Sequence, residues 1–427
     1  MAATHLMKER IASQEGQQML ANLYGKDMVD MQTSRYSSLV TQYEELFGAG
    51  DIRLFSAPGR SEIGGNHTDH NYGKVLAASI NLDTIAASAP VSERRITIIS
   101  EGYPGQTVVD LDELGPLEGE GGTTALVRGI AAGFLEFGYH IGGFNAYVSS
   151  NVLSASGLSS SASFEMLVCT ILSTYYNDGV LDAVIMSRIG QFAENRYWNK
   201  PSGMLDQMAC AYGGLITIDF KDPAEPVIEP IDYPFRDKGY SLVIVATGGN
   251  HADLTADYAA VPNEMFEVAK LLGGKVCRDI TAEQIYENLG LLREKAGDRA
   301  VLRALHFLEE NRRVDEQAAA LRKDEFDKFL ALITESGNSS WKWLQNCYRD
   351  SDSREQGITV ALALTEQYLR KIDDGACRVH GGGFAGVILA IVPDDKAEEY
   401  AGFIGGTLGT QTFTINVRQQ GAICLVL

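Results

Sequence analysis

The stretch that most constrains this chain is Asn151-Val152-Leu153-Ser154-Ala155-Ser156-Gly157-Leu158-Ser159-Ser160-Ser161-Ala162-Ser163. It follows a strand-like run, Gly142–Ser150, and leads straight into an apolar, helix-like run over Ser159–Tyr176. The first N–H groups of a helix have no intrahelical partner and carry the positive end of its dipole, so they attract anions. Small side chains let a phosphate approach the backbone, and serine hydroxyls can add hydrogen bonds or ligate Mg²⁺. A plain serine N-cap would need only one of these residues. The wealth of small residues around Gly157 points to a strand–loop–helix phosphate cradle.

The rest of the chain mixes strands and helices without strict βαβ alternation, which predicts an α+β fold. Residues 1–50 have helical spacing, with Met28, Met31, Tyr36, Leu39, Tyr43 and Leu46 on one face and Gly48 as the stop. Strands are expected at Ile52–Phe55, ending in a turn at Pro58-Gly59, at Val75–Asp83, Thr84–Val91, Arg95–Ser100, Gly213–Phe220, Tyr240–Thr247 and Gly386–Val392, with a last one over Ala422–Leu427. Helices are expected over Thr124–Phe137, Val180–Trp198, 257–272, 281–310, 315–335, 356–372 and 394–404. The proline-rich segment 221–238 marks a boundary. The expected organisation is a helical extension over 1–50, one domain over 51–230 and a second over 231–427.

Composition narrows the function. With 36 Lys+Arg against 56 Asp+Glu the formal charge is −20, which argues against a nucleic-acid partner. No segment reaches the length of an apolar membrane span, and the N-terminal residues lack an apolar leader, so a cytoplasmic protein is expected. The six cysteines are widely spaced, with no metal-type pairing, and are expected to be free thiols.

Several motifs fail on context. Gly381-Gly382-Gly383-Phe384-Ala385-Gly386 fits GxGxxG, but a strand rather than a helix follows it. His380-Gly381-Gly382-Gly383 resembles an esterase oxyanion loop, yet no GxSxG lies in the chain. His67-Thr68-Asp69-His70 has too few neighbouring ligands for a transition-metal site. Two polar loops remain beside the serine loop. The segment Ala57–Asn71 concentrates Arg60, Asn66, His67, Asp69 and His70 after a strand, and Gly381–Gly386 brings backbone close to something.

Together the three loops resemble a known family. SAPGRSEIGGNHTDHN looks like the first signature of galactokinases. ASGLSSSAS looks like the ATP-binding motif of the galactokinase, homoserine kinase, mevalonate kinase and phosphomevalonate kinase superfamily, and HGGGFAG like its third, glycine-rich motif. The resemblance covers about residues 50–427. It implies a two-domain small-molecule kinase fold with the active site in the inter-domain cleft.

Residue by residue, the resemblance implies ATP contacts from Gly157, Leu158, Ser159, Ser160, Ser161, Gly382 and Gly383, and Mg²⁺ ligation by Ser161 and Glu194. Asp206, in Gly203-Met204-Leu205-Asp206-Gln207, is the implied base, and Arg60 its partner at the transferring phosphoryl group. Asn66, His67, Asp69 and Tyr258 are the implied sugar contacts. Four features depart from the family pattern: Asn66 replaces a glutamate, His70 replaces a tyrosine, His380 replaces a threonine, and no arginine-rich run follows Tyr258. The implied activity is galactose phosphorylation at the anomeric hydroxyl, with ATP and Mg²⁺. The alternatives are a 1-kinase for another sugar or an N-acetylhexosamine, and a non-catalytic sugar/ATP sensor. The expected partners are the sugar and ATP, with no nucleic acid and no membrane, in a monomer or weak homo-oligomer.

Overall fold

The computed structural model describes residues 2–152, 157–199, 202–248 and 254–426. It is α+β, with a nine-stranded and a four-stranded sheet. The large sheet is built on two long antiparallel strands, Asp51–Gly64 and Lys74–Pro90. Lys74–Pro90 also pairs with Phe144–Ser150 and with Leu215–Asp219. The small sheet is antiparallel, in the order Ala376–His380, Val387–Pro393, Tyr240–Ala246, Thr412–Ile415.

Alternation along the long strands sorts their side chains onto two covered faces. Phe55, Ala57 and Ala86 pack with Leu126, Ile130, Met166 and Ile189, which belong to the helices Gly122–Glu136, Ser160–Tyr176 and Ala183–Arg196. Ile52, Leu54, Ile85 and Ala87 face the opposite way, onto Leu20, Tyr36, Leu39 and Val40. The N-terminal helices Thr4–Ala12, Gln14–Tyr24 and Val29–Phe47 therefore form a third layer over the sheet. A separate cluster joins Ile63, Leu76 and Ile80 to Leu242, Ile244, Val387 and Leu389, so the two sheets share a core.

Several elements differ from the expectation. Val75–Asp83 and Thr84–Val91 are one strand, because the polar Asp83-Thr84 pair is satisfied inside the protein rather than at a turn. Pro58-Gly59 does not turn either. The strand continues through a bulge, Arg60 N–H donates to Leu158 O at 3.1 Å, and a Cβ at Gly59 would stand 2.8 Å from that same carbonyl. The region 281–335 divides into Ala282–Glu287, Leu289–Lys295, Asp298–Arg322 and Phe326–Ser339. Helix Leu205–Tyr212 and strands Val227–Ile231 and Ala376–His380 were not foreseen. The last strand, Ile423–Leu425, returns to pair with Asp51–Gly64 in the large sheet.

The covering layer is fastened by one buried carboxylate. Asp83 is fully buried; Arg35 Nη1 donates to its Oδ1 at 2.6 Å, and Arg418 Nη1 to its Oδ2 at 3.0 Å. Tyr24 O–H donates at 2.5 Å and Ser56 O–H also donates. Asp83 also binds Asn151, whose Oδ1 accepts from Asp83 N–H at 2.6 Å at the head of the serine loop. Burial pushes the Asp83 carboxyl up, but Arg35, Arg418 and the two hydroxyls outweigh it and hold it below its usual value. Its ionisation therefore stabilises the fold fully above about pH 3.9 and progressively less as pH falls towards the depressed folded value. Asp83→Asn should cost about 3–5 kcal/mol at pH 7, since it strands two buried guanidinium groups. Denaturant unfolding of parent and variant should show a smaller gap at pH 3 than at pH 7. An equal gap at both would rule out an ionised Asp83.

Candidate active site

Asp206 lies in the first turn of helix Leu205–Tyr212, where the helix dipole favours a carboxylate. Arg60 Nε donates to Asp206 Oδ1 at 2.7 Å, and Ser159 Oγ donates to Oδ2 at 2.6 Å. Arg60 Nη1 donates to Gly157 O at 2.5 Å, so one buried guanidinium ties the carboxylate to the serine loop. Burial opposes the charge on Arg60, and Asp206 beside it more than restores it. Ser159 stands at φ 59° and turns the loop into helix Ser160–Tyr176.

Two residues after Ser159, Ser161 Oγ donates to Glu194 Oε1 at 3.3 Å. Glu194 is buried on helix Ala183–Arg196, and its Oε2 accepts from Gln207 Nε2 at 3.2 Å. The same Gln207 nitrogen donates to Glu165 Oε2 at 3.0 Å, holding two buried carboxylates in place. Among the described residues no group of three or more His, Cys, Asp or Glu could hold a metal. A hydroxyl and a carboxylate side by side are hard oxygen donors. They fit a Mg²⁺ ion that takes its remaining ligands from water and phosphate.

Beside Asp206 opens a cavity of about 740 Å³. His67, Asp69, Asp206, Tyr258 and Gly382 meet at its wall, with Ala259, Pro262 and Phe266 as an apolar side from helix Thr255–Leu271. Burial pushes the His67 imidazole down to about 4, so it is neutral at pH 7 and its Nε2–H donates to Gly382 O at 2.8 Å. Tyr258 O–H donates to Gly383 O at 3.1 Å, and its ring stands edge-on to Phe384 at 5.5 Å. Asp69 Oδ1 accepts from His70 N–H at 2.9 Å. Gly203 must lack a side chain here, since a Cβ would lie 2.3 Å from Asp69 Oδ2. Gly383, at φ 81°, passes so close to Asn346 that a Cβ would fall 2.1 Å from Asn346 O.

Asn66 is a correction. It is completely buried and does not line the cavity. Its Nδ2 donates to Glu62 Oε1 at 2.9 Å and to Gly381 O at 2.8 Å, and its Oδ1 accepts from Ser340 Oγ at 3.2 Å and Asn346 Nδ2 at 2.8 Å. An amide offers two donors and two acceptor sites, and the protein fills all four, leaving nothing for a sugar. The side chain of Leu158 is likewise core, and this residue serves the site through its backbone carbonyl.

The structure brings Arg60, Gly157, Ser159 and Asp206 together, and separately Ser161 with Glu194. Ser160 begins the helix beside them. Sequence reasoning missed Gln207, although it follows Asp206 directly. It also missed Asn346, the buried Glu62–Arg378 pair at 2.8 Å, and His306, whose Nε2 meets Asn66 O at 3.0 Å. These partners lie far apart in the chain, and no local pattern marks them.

The family model described as the galactokinase galactose-binding signature matches residues 41–90, and that of the GHMP kinases N terminal domain matches residues 125–214. Among curated proteins, the galactokinase of Clostridium tetani is 27% identical over 85% of this chain and 89% of its own length. That of Lactococcus lactis is 29% identical over 86% and 90%. The crystal structure of Lactococcus lactis galactokinase complexed with galactose superposes with a TM-score of 0.79 at 26% identity, covering 92% of this chain and all of that one. A crystal structure of mevalonate kinase, 16% identical with a TM-score of 0.59 over 85% and 98%, shares the fold. Both signatures lie on segments that meet at the cavity, and along most of its length the chain is similar to galactokinases.

Proposed function

We propose that this protein is an ATP-dependent kinase that phosphorylates the anomeric hydroxyl of galactose, giving galactose 1-phosphate and ADP. The observation that carries the reading is Asp206, exposed to the cavity while Arg60 and Ser159 hold its two oxygens. Its relatives, galactokinases along most of the chain, support the substrate.

Phosphoryl transfer is mainly positioning and charge neutralisation. A carboxylate oxygen of Asp206 takes the proton of the anomeric hydroxyl as that hydroxyl oxygen bonds to the γ-phosphorus and the bond to the ADP oxygen breaks. Arg60 faces the negative charge on the transferring group. The backbone N–H groups from Gly157 to Ser161 cradle the nucleotide phosphates, with Gly382 and Gly383 closing from the other half of the chain. Ser161 and Glu194 would hold Mg²⁺, which supplies positive charge at the phosphate oxygens. His67, Asp69 and Tyr258 border the sugar, with the Nε2–H of His67 committed to the glycine loop. A non-catalytic sensor would have no need for both the Arg60–Asp206 pair and the Ser161–Glu194 pair.

In a coupled ADP-release assay, galactose should be turned over by the parent. Asp206→Asn should lower kcat by roughly 10²–10⁴-fold while ATP binding stays within a few fold. A single-turnover rate equal to the parent's would remove Asp206 from the role of base.

Ser161→Ala should move the Mg²⁺ titration of activity to higher concentration. Loss of one contact to a charged group costs about 1.5–3 kcal/mol, roughly ten- to hundredfold in affinity. Galactose affinity should not change. Superimposable Mg²⁺ curves for parent and variant would exclude Ser161 as a ligand.

A further inference from the structure

His380 ends the strand Ala376–His380 just before the glycine turn and is 2% exposed. Its Nε2 lies 3.2 Å from Glu62 N and 3.0 Å from Ser61 Oγ. A backbone N–H can only donate, so Nε2 is an acceptor and the proton of the neutral ring sits on Nδ1. Burial foremost, and then the charges of Arg60 and Arg378, hold this imidazole well below its ordinary value, so the ring stays neutral through the physiological range. The Nδ1–H has no hydrogen-bond partner among the described residues.

A buried donor left unpaired costs free energy and calls for an explanation. The direction of this one supplies it. Nδ1 stands over Gly157, where a Cβ would come within 3.2 Å of it. Gly157 is also the residue whose carbonyl Arg60 grips, and Arg60 pairs with Asp206. On its other side His380 is joined to Gly381, the first residue of the glycine turn at φ 71°. The orphan N–H thus sits where the serine loop and the glycine turn converge, beside the only buried cation paired to Asp206 among the described residues.

We propose that His380 Nδ1–H donates a hydrogen bond to a phosphate oxygen of the bound nucleotide. The inference rests on the kinase reading above and adds to it a nucleotide-binding side chain from the second half of the chain. A neutral donor suits this place. It completes the acceptor-rich phosphate without adding a charge next to Arg60, and its Nε2 is locked by the same strand that carries Arg60. Gly157 is then required twice, by its φ of 69° and by the space His380 occupies.

The two ring nitrogens can be separated by substitution. In His380→Gln the amide reaches the Nε2 position and can still accept from Glu62 N–H, but the Nδ1 donor is gone. In His380→Asn the amide nitrogen falls near Nδ1 and the Nε2 contact is lost. The measurements are equilibrium binding of a non-hydrolysable ATP analogue, galactose binding, steady-state kinetics and thermal unfolding. His380→Gln should bind the analogue roughly ten- to hundredfold more weakly, with galactose affinity and Tm close to the parent's. His380→Asn should keep most of the analogue affinity and lose Tm instead. In the parent, the Nδ1–H proton resonance should shift on adding the analogue and not on adding galactose. Equal analogue affinity in parent and His380→Gln, or an Nδ1–H resonance unmoved by the analogue, would overturn the assignment. A parent that binds the analogue yet releases no ADP with galactose would instead count against the kinase reading, and the binding comparison would still decide His380.

Discussion

The site depends on holding a buried guanidinium against a carboxylate that must stay open to a cavity. Arg60 is on the long strand Asp51–Gly64 and Asp206 at the head of a short helix, 146 positions apart in sequence. An unpaired buried charge would be costly, so each group specifies the place of the other. The strand meets this demand by refusing to turn at Pro58-Gly59. The bulge there rotates Arg60 towards the serine loop, and Gly59 lets Leu158 O come close enough to accept the Arg60 N–H. Strand, loop and helix are thus fixed relative to one another through Arg60, with the Ser159–Asp206 bond tying loop to helix directly.

Around this pair runs a second layer of buried polar groups that joins the two halves of the chain. Glu62 receives Arg378, Asn66 receives Asn346 and Ser340, and Glu310 receives Ser336 and Gly65 N–H. Such a network is costly if any member is left unsatisfied and rigid when complete. It sets the first loop and the glycine turn at a fixed separation. Asn66 belongs to this network, where its amide pairs with the Glu62 carboxylate four residues earlier on the strand Asp51–Gly64. The cavity wall is left to His67, Asp69, His70, Tyr258 and the apolar side formed by Ala259, Pro262 and Phe266.

What was legible in the sequence was local chemistry under steric constraint. The serine loop could be read because a phosphate cradle needs small residues at a helix start, whereas Arg60 and Asp206 were singled out by the resemblance, and the structure brings all three together. Helix Ser160–Tyr176 and the stop at Gly48 followed from apolar spacing and a glycine C-cap. Asn66 was misplaced because its saturation comes from partners 280 and 315 positions away, which no window of sequence reveals. Strand Ala376–His380 was hidden for a related reason. Two of its five buried residues, Arg378 and His380, are polar and read as surface, yet both are satisfied or engaged in the interior. The role of residues 1–50 was hidden too, since their apolar face answers to a sheet whose second covered face only the alternation of Ile52, Leu54, Ile85 and Ala87 discloses.

The electrostatics of the whole chain make the same point on a larger scale. In the function proposed above, a protein with a formal charge of −20 takes a polyanionic nucleotide against its own net charge. Its described site does not counter this with a dense cationic patch. In that reading it offers the N-terminus of one helix, the guanidinium of Arg60 paired with Asp206, a pair of oxygen donors suited to Mg²⁺ and neutral N–H groups on a glycine turn. Neutral donors keep their strength in salt and give little long-range attraction. Recognition of this kind is short-ranged, made at contact rather than by steering. A buried imidazole at the seam of the two loops, held well below its ordinary value by burial and by Arg60 and Arg378, is the side chain such a design favours.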